Sequence, residues 1–305
     1  MRTRRSVLAA GLAAVFAVSL HASPVVAQEK KLPVIATFSI LGDLVKNVGG
    51  DRIDVTTLVA PNSDAHVYAP TPADAKKVAA AKVVFVNGLG FEGWITRLIK
   101  ASGSKAPTVT VSKGITTRQM EDEDHGHGHK VTDPHAWQSV ANAKIYIANI
   151  RDGLSAADPA GKSVYDANTS AYGAKLDALE AEVKDAIGKI PADRRRIITS
   201  HEAFGYFGAA YGIEFIAPEG VSTETAASAK DVAKIIGQIR KQKIPAVFME
   251  NITDSRMMQQ IAKESGAKIG GSLFSDALSG ENGPAASYIE MMRNNIRQLS
   301  NALTS

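Results

Sequence analysis

Six of the seven histidines in this chain lie beyond residue 27, and all six stand in polar or turn-like segments. Three of them share residues 124–129 and are separated by single glycines, whereas the other three stand alone in distant parts of the sequence. Imidazole is the commonest protein ligand of zinc-like metals, and such metals take about four ligands. The pattern predicts one site assembled from distant segments and a separate metal-attracting loop. The isolated histidines are His66, His135 and His201, and those of the loop are His125, His127 and His129.

The chain contains no cysteine, so any metal must be held by nitrogen and oxygen atoms. Three histidines alone would form a catalytic zinc site with an open water position, as in a hydrolase, whereas a fourth protein ligand would favour binding. Asp276 follows the last predicted strand and is the candidate for that ligand, although a solvated loop aspartate explains it equally well. His201-Glu202 does not begin the helical motif of a zinc protease, because Gly205 occupies the position of the second histidine.

Short apolar runs alternate with helix-like stretches in both halves of the sequence, as in parallel sheets with crossover helices. In the first half, the predicted strands are residues 34–38, 53–59, 83–86 and 108–111, with helices at 41–48, from Thr71-Pro72 onward, and at 94–100. In the second half, the predicted strands are residues 196–199, 214–216, 246–249 and 268–270, with helices at 203–211, 227–240, 255–264 and 284–303. The predicted fold class is therefore α/β, with mainly parallel sheets flanked by helices.

A long segment without strand patterns separates the two halves. From about residue 159 to residue 190, apolar residues recur at helical spacing until Pro191 ends the run. We interpret this segment as one long, rigid helix that joins two lobes, so large hinge closure is not expected. The predicted organisation is an N-terminal lobe at 28–157 with a histidine-rich loop at 121–130, a linking helix at 158–190 and a C-terminal lobe at 191–305. The recurring residues are Tyr165, Tyr172, Leu176, Leu179, Val183 and Ile187.

Residues 1–27 have the features of a cleavable signal peptide: three arginines, an apolar run at 7–20 and small residues before position 28. Residues 3–8 loosely resemble a twin-arginine export signal, so the choice between that route and general secretion stays open. Removing the three arginines lowers the formal net charge from +4 to +1, which leaves no basic face for nucleic acid. Because the chain has no cysteine, we expect no disulfides and no lipid anchor. The expected location is the periplasm, as a soluble protein that is not a lipoprotein.

At these residues the chain resembles the zinc/manganese solute-binding proteins of bacterial ABC importers, and the resemblance extends along the whole mature sequence. It implies two α/β lobes joined by a rigid long helix, with the metal in the cleft between the lobes. It also implies that the ligands are His66 and His135 from the first lobe and His201 and Asp276 from the second. The matching segments are residues 61–68 (PNSDAHVY), 70–74 (PTPAD), 133–137 (DPHAW), 199–207 (TSHEAFGYF) and 274–276 (FSD).

Two features favour the zinc-binding branch of this family. The third ligand is often glutamate in manganese importers and histidine in zinc importers, and here it is His201. Imidazole suits zinc, whereas manganese is harder and prefers oxygen. The histidine-rich loop before His135 also resembles that of zinc-binding members, although it is shorter here. Some members with three histidines accept either metal, so manganese import or dual import remains an alternative.

The resulting expectation is a binding protein and not an enzyme. It would capture Zn²⁺ as its transported ligand, with Mn²⁺ as the alternative, while the loop of His125, His127 and His129 serves as an accessory metal site. As a monomer, it would deliver the ion to an ABC permease in the inner membrane, which works with a cytoplasmic ATPase. A periplasmic zinc buffer or metallochaperone is the alternative role, and a periplasmic zinc chaperone is a further candidate partner.

Overall fold

A computed structural model describes residues 30–121 and 130–304, and every element named below lies in those ranges. The first part of the chain forms a four-stranded sheet in the order β2-β1-β3-β4, in which all neighbouring strands are parallel. The strand order requires crossovers, and helices supply them, as the alternating apolar pattern predicted. These elements are β1 (Leu32–Phe38), α1 (Ser39–Gly49), β2 (Ile53–Val59), α2 (Pro72–Ala80), β3 (Val83–Val86), α3 (Ile95–Ser102) and β4 (Thr108–Thr110).

The start of α2 shows how local sequence determines an element boundary. The Thr71 side chain accepts a hydrogen bond from the Asp74 amide, and the Asp74 carboxylate in turn accepts one from the Thr71 amide. Pro72 occupies the first helical turn, where its missing N–H costs nothing. This reciprocal cap satisfies two amides that the helix itself cannot, so the loop that precedes α2 ends at a defined residue.

A hairpin and two α-helices, with short 3₁₀ turns beside them, follow the first sheet before the second one begins. A short antiparallel hairpin pairs two three-residue strands, and two helices come after it. Neither the hairpin nor the first of these helices was among the sequence predictions. The elements are β5 (Gln119–Glu121), β6 (Lys130–Thr132), α4 (Val140–Ala157) and α5 (Lys162–Gly188).

The long helix expected at residues 158–190 is present, but it begins at Lys162. Pro159–Gly161 forms a separate 3₁₀ turn, because the residue before a proline is driven out of the helical region and Asp158 takes a non-helical conformation (φ −136°, ψ 81°). All six apolar residues of the predicted stripe are buried in α5. That stripe packs against α4 and α1, and also against the C-terminal helix of the chain. The proposed boundaries at 28, 158 and 191 remain a prediction.

The second sheet has the order β10-β9-β7-β8, and its neighbouring strands are also parallel. Its last helix begins at Tyr288 and not at residue 284, because the Ser287 side chain caps the amide of Glu290. The fold is therefore two α/β lobes with a long helix between them in sequence, as predicted. The elements are β7 (Arg196–Ile198), α6 (Gly205–Tyr211), β8 (Glu214–Ile216), α7 (Ala229–Gln242), β9 (Ala246–Glu250), α8 (Ser255–Ser265), β10 (Lys268–Leu273) and α9 (Tyr288–Leu303).

The two lobes share one hydrophobic core. A single cluster of buried side chains runs from the first sheet through α5 to one side of the second sheet, where it includes Phe248 and Leu273. A smaller cluster lies beneath α7 and α8, with Ile239 and Met258 among its members. Burial of one large apolar side chain stabilises a protein by about 1.5–3 kcal/mol, so the shared core strongly opposes separation of the lobes. Within the described segments, no helix is both long enough and apolar enough to cross a membrane.

Candidate metal centre

The four candidate ligands stand on loops that follow strands. His66 lies in the loop after β2, where the Asp64 carboxylate accepts a hydrogen bond from its backbone amide at 2.8 Å. His135 follows β6, while His201 and Asp276 come three residues after the ends of β7 and β10. In parallel α/β sheets, ligands collect beyond the carboxyl ends of the strands. The fold therefore places segments that are distant in sequence around one point.

The structure brings the side chains of His66, His135, His201 and Asp276 together. One nitrogen from each histidine and one oxygen of the aspartate lie within 4.8 Å of one another. His135, His201 and Asp276 have no exposed surface, and His66 is 7% exposed. A cluster of four buried polar groups that are mutually this close is unfavourable unless something compensates their charge and hydrogen-bonding capacity.

Three of the six distances between the candidate ligand atoms fit a tetrahedral cation site, and all six are within 4.8 Å. The His66 Nε2 lies 3.3 Å from the His135 Nε2 and 3.2 Å from the Asp276 Oδ2, and the His201 Nε2 lies 3.2 Å from that same oxygen. Ligands about 2.0–2.1 Å from a zinc ion stand about 3.3–3.4 Å apart at tetrahedral angles. Four protein ligands in that arrangement would complete a four-coordinate site and would leave no position for a reactive water.

Two further carboxylates approach the Nδ1 atoms of His135 and His201, on the side of each ring that faces away from the cluster. The Asp133 Oδ1 lies 2.9 Å from the His135 Nδ1, and it also accepts the His135 amide at 2.9 Å. The Glu250 Oε2 lies 2.7 Å from the His201 Nδ1. In both cases the Nε2 atom is left facing the centre of the cluster. Such outer carboxylates orient a ligating imidazole and increase its basicity.

The loop that carries Asp276 is tied to the first lobe as well as to its own. The Ser275 carbonyl accepts hydrogen bonds from the Trp137 indole at 2.9 Å and from the Gln138 amide group at 2.7 Å. The Leu278 amide donates to the Ser39 hydroxyl at 2.9 Å. These contacts fix the position of the aspartate relative to His135, which stands two residues before Trp137, so the cluster is organised before a metal arrives.

The mutual effects of these groups set their pKa values. Burial would raise the pKa of Asp276, but His135 and His201 hold it well below its usual range. Burial would lower the pKa of His135, but the Asp276 and Asp133 carboxylates outweigh burial and raise it to about 9. The Glu250 and Asp276 carboxylates likewise raise the pKa of His201 against the effect of burial. Burial prevails at His66, whose pKa is lowered. The carboxylates thus give the centre a negative electrostatic potential, which suits a divalent cation.

Asp133 and Glu250 were not among the predicted site residues, although each had a signal in the sequence. Asp133 stands two residues before His135, and Glu250 directly follows the predicted strand at 246–249. The loop histidines His125, His127 and His129 lie outside the described residues, as does the segment predicted to be the signal peptide.

A two-lobed α/β protein with a buried three-histidine, one-carboxylate cluster between its sheets is a metal-binding protein of the solute-binding class. Comparison with known families agrees: residues 34–302 match the family described as "Zinc-uptake complex component A periplasmic". The chain belongs to this family of periplasmic metal-binding proteins of ABC importers, as the sequence motifs predicted. It is a solute-binding protein and not an enzyme.

Relatives and solved structures match similar shares of the chain. The iron-binding protein YfeA of Yersinia pestis is 36% identical over 263 residues, which is 86% of this chain and 83% of that protein. The manganese-binding lipoprotein MntA of Halalkalibacterium halodurans is 35% identical over 265 residues, covering 87% and 86% of the two chains. The periplasmic zinc-binding protein TroA of Treponema pallidum has a TM-score of 0.84 and 29% identity, with 90% of this chain and 100% of that chain covered.

The expected localisation is wrong in one respect. From the absence of cysteine, the sequence analysis predicted a protein that is not a lipoprotein. Several relatives of nearly the same length, MntA among them, are named lipoproteins, which contradicts that prediction. The inference rested on one missing residue type, and such an absence is weaker evidence than the names of aligned relatives. A location on the outer side of the cytoplasmic membrane remains consistent with the family description.

Proposed function

We propose that this protein binds one Zn²⁺ through His66, His135, His201 and Asp276 and delivers it to an ABC permease that works with a cytoplasmic ATPase. The observation that carries the proposal is the convergence of buried atoms from four residues, all within 4.8 Å of one another and three pairs of them 3.2–3.3 Å apart. Three imidazole nitrogens and one carboxylate form a ligand set that suits zinc, whereas manganese prefers more oxygen. The description of the family as a zinc-uptake component supports the same metal.

Manganese or iron is the second candidate, and two observations favour it. Relatives are named for those metals: MntA is manganese-binding and YfeA is iron-binding. In addition, both oxygens of Asp276 face the cluster, with Oδ2 3.2 Å from the His201 Nε2 and Oδ1 3.6 Å from the His135 Nε2. Two carboxylate oxygens on one ion would raise the coordination number above four, which a harder metal accepts readily. Import of both zinc and manganese through the same site is therefore an alternative.

Two further roles complete the proposal. His125, His127 and His129 form an accessory site that collects zinc and is separate from the buried cluster. The protein acts as a monomer, and a periplasmic zinc chaperone is a candidate donor or acceptor of the ion. A zinc buffer that passes its metal to another protein remains the rival role, and it would not require a permease.

The test is a titration of the mature chain with Zn²⁺ and with Mn²⁺, each in competition with a chelator, together with the metal content of protein purified from its native source. We expect one tight zinc per chain, with a Kd near or below about 1 nM, corresponding to about 12 kcal/mol. Alanine at position 66, 135 or 201 should each weaken zinc binding on the order of 100-fold, because one of four ligands is lost. A variant that keeps the tight phase would remove its residue from the ligand set, and native protein loaded with manganese would support the second candidate.

A further inference from the structure

The segment 87–94, which joins β3 to α3, is bonded to the backbone beside both candidate ligands of the first lobe. The side-chain amide of Asn87 donates to the Pro134 carbonyl at 2.9 Å, and the next residue along the chain is a ligand. The indole of Trp94 donates to the Ala65 carbonyl at 2.8 Å, and the next residue is again a ligand. One short segment therefore contacts the residue before each of two ligands that are distant in sequence.

Phe91, inside the same segment, contacts the ligand rings themselves. Its side chain is 1% exposed. Its ring centroid lies 4.7 Å from that of His66, with an angle of 76° between the two planes, and 6.0 Å from that of His135. Edge-to-face contacts of this kind favour a defined mutual orientation of the rings. A displacement of the segment would therefore move the ligand side chains as well as the backbone beside them.

The backbone of this segment has an unusual conformation. Gly88, Leu89 and Gly90 have φ angles of +82°, +57° and +86°, all in the left-handed region. Glycine takes this region freely, whereas it costs leucine free energy because of its Cβ. Such a residue keeps its conformation only where the surrounding contacts fix it, and strained residues of this kind concentrate at functional sites.

The Glu92 carboxylate provides contacts that fix the segment. Glu92 is 5% exposed. Its Oε1 accepts hydrogen bonds from the Thr37 hydroxyl and from the Asn87 amide, each at 2.6 Å, and its Oε2 accepts one from the Gly88 amide at 3.1 Å. Burying a carboxylate is costly, and hydrogen bonds to its charged oxygens offset that cost. Because Thr37 belongs to β1, these bonds attach the start of the segment to a central strand of the first sheet.

We propose that Glu92 is a positioning residue of the metal centre, which holds the segment 87–94 in the conformation that places His66 and His135. The proposal rests on the proposed function, because it assumes that these two histidines are ligands. Glu92 does not belong to the four-residue cluster and acts on it only through the segment. Its substitution should change the arrangement of the two first-lobe ligands together.

Glu92→Gln tests this role with little change in shape. The carboxylate faces three donors with two acceptor oxygens, whereas an amide has one acceptor oxygen and an NH₂ group that donates. Whichever way the amide turns, its NH₂ group meets the backbone N–H of Asn87 or that of Gly88, so the segment must shift. Asp43→Asn is the matched control. The Asp43 carboxylate also accepts a backbone amide, that of Tyr288 at 2.9 Å, but it joins α1 to α9 and not to the segment.

The first measurement is the zinc affinity of the full mature chain by chelator competition, together with the unfolding midpoint of the metal-free protein. Both amide variants should lower the midpoint, because each leaves a backbone amide without its charged acceptor. We expect Glu92→Gln to weaken zinc binding by about tenfold, at the lower end of the range for residues that support ligands, and Asp43→Asn to leave it unchanged. Unchanged affinity in folded Glu92→Gln, or an equal loss in both variants, would overturn the proposal.

The second measurement does not depend on metal binding. In metal-free protein, Glu92→Gln should shift the NMR signals of the His66 and His135 ring protons, because the neighbouring Phe91 ring moves with the segment. The signals of His201, which stands on the other lobe, should move much less. If wild-type protein binds no zinc, the proposed function fails, and this measurement alone decides the role of Glu92.

A second variant applies if Glu92→Gln does not fold. Thr37→Val removes one of the three donors to the carboxylate and keeps the shape of the side chain, so it should shift the same two ring signals by a smaller amount. Unchanged His66 and His135 signals in a folded variant would show that the contacts of Glu92 serve only the stability of the first lobe, and the proposal would be wrong.

Discussion

The three histidines of the cluster are held by different means, and this gives each a different sensitivity to mutation. His135 and His201 each have a carboxylate 2.9 Å or less from Nδ1. His66 instead packs edge-on against the Phe91 ring, with 4.7 Å between centroids, and Asp64 fixes its backbone amide. His66 also retains some exposure. The rings of His135 and His201 are thus oriented more strictly than that of His66, and metal entry and exit should involve His66.

Replacing His201 by glutamate tests whether ligand type sets metal preference. We predict that His201→Glu shifts the ratio of affinities from zinc towards manganese, because it exchanges a nitrogen for a hard, potentially bidentate oxygen. Glu250 would face the new carboxylate and repel it, so total affinity should fall. The double variant His201→Glu/Glu250→Gln relieves that repulsion and should show the same shift with tighter binding. Competitive titration of both metals gives the ratio; an unchanged ratio would assign selectivity to the geometry of the cleft.

How far the sequence alone predicts such a site is clearest at these residues. His66, His135 and His201 could be selected by type and setting, because a histidine in a polar turn has few structural roles. Asp276 needed the family motif, because an aspartate in a loop is common and its position after a strand is weak evidence. Glu250 could not be assigned, since its role depends on β9 lying beside β7 in the sheet, and strand order is a property of the whole fold.

At the scale of elements, periodicity predicted α5 well because its stripe is long and strictly spaced. Residues 140–157 carry an equally regular stripe, buried at Val140, Ala143, Ile147, Ile150 and Leu154, and helical spacing alone would have found α4. The hairpin of β5 and β6 could not be found in this way. Its strands have three residues each, which is too short for a period of two to be distinguished from chance.

That hairpin leads directly into the metal centre. The Asp133 amide donates to the Arg118 carbonyl at 3.0 Å and closes its base, two residues before His135. The segment 122–129, with three histidines and three acidic residues, is inserted between its strands. The acidic residues raise the local cation concentration, and the single glycines between the histidines make ordering around a metal entropically costly.

We predict that deleting residues 122–129 abolishes a second, weaker phase of zinc binding and leaves the tight phase nearly unchanged. The reason is that the four buried ligands and their supporting carboxylates all lie outside this segment. The triple variant with alanine at positions 125, 127 and 129 keeps the length and charge of the segment, and it should lose the weak phase in the same way. Zinc titration with a chelator resolves the two phases. Collapse of the tight phase in either variant would make a loop histidine one of the ligands of the tight site.

At the scale of the whole molecule, the shared core and the cross-lobe hydrogen bonds favour a rigid site. The cluster spans both lobes, and the loop of Asp276 is bonded to Ser39 and Trp137 of the first lobe. Wide separation of the lobes would expose a continuous core and break these bonds at the same time. Binding and release should therefore proceed through local rearrangement and through changes in the charge of the cluster, and not through large hinge opening.

The charge of the metal-free cluster depends on pH in a defined direction. A metal ion needs the lone pair of each Nε2, so any proton held there must leave on binding. Against the opposing effect of burial, neighbouring carboxylates raise the pKa of His135 to about 9 and that of His201 well above its usual value. Burial lowers the pKa of His66. Near neutral pH, His135 and His201 therefore carry protons that a metal must displace, whereas His66 does not.

We predict that zinc binding near pH 7 releases about two protons, so that zinc affinity rises by about 100-fold per pH unit, about tenfold for each proton, until the pH approaches the raised pKa values. Acid thus favours the protonated, metal-free protein, and alkali favours the complex. Calorimetry in buffers of different ionisation enthalpy counts the protons. His135→Ala should release about one proton fewer than wild type. A count near zero in wild type would show that both rings are neutral before zinc binds, and the affinity would then be independent of pH in this range.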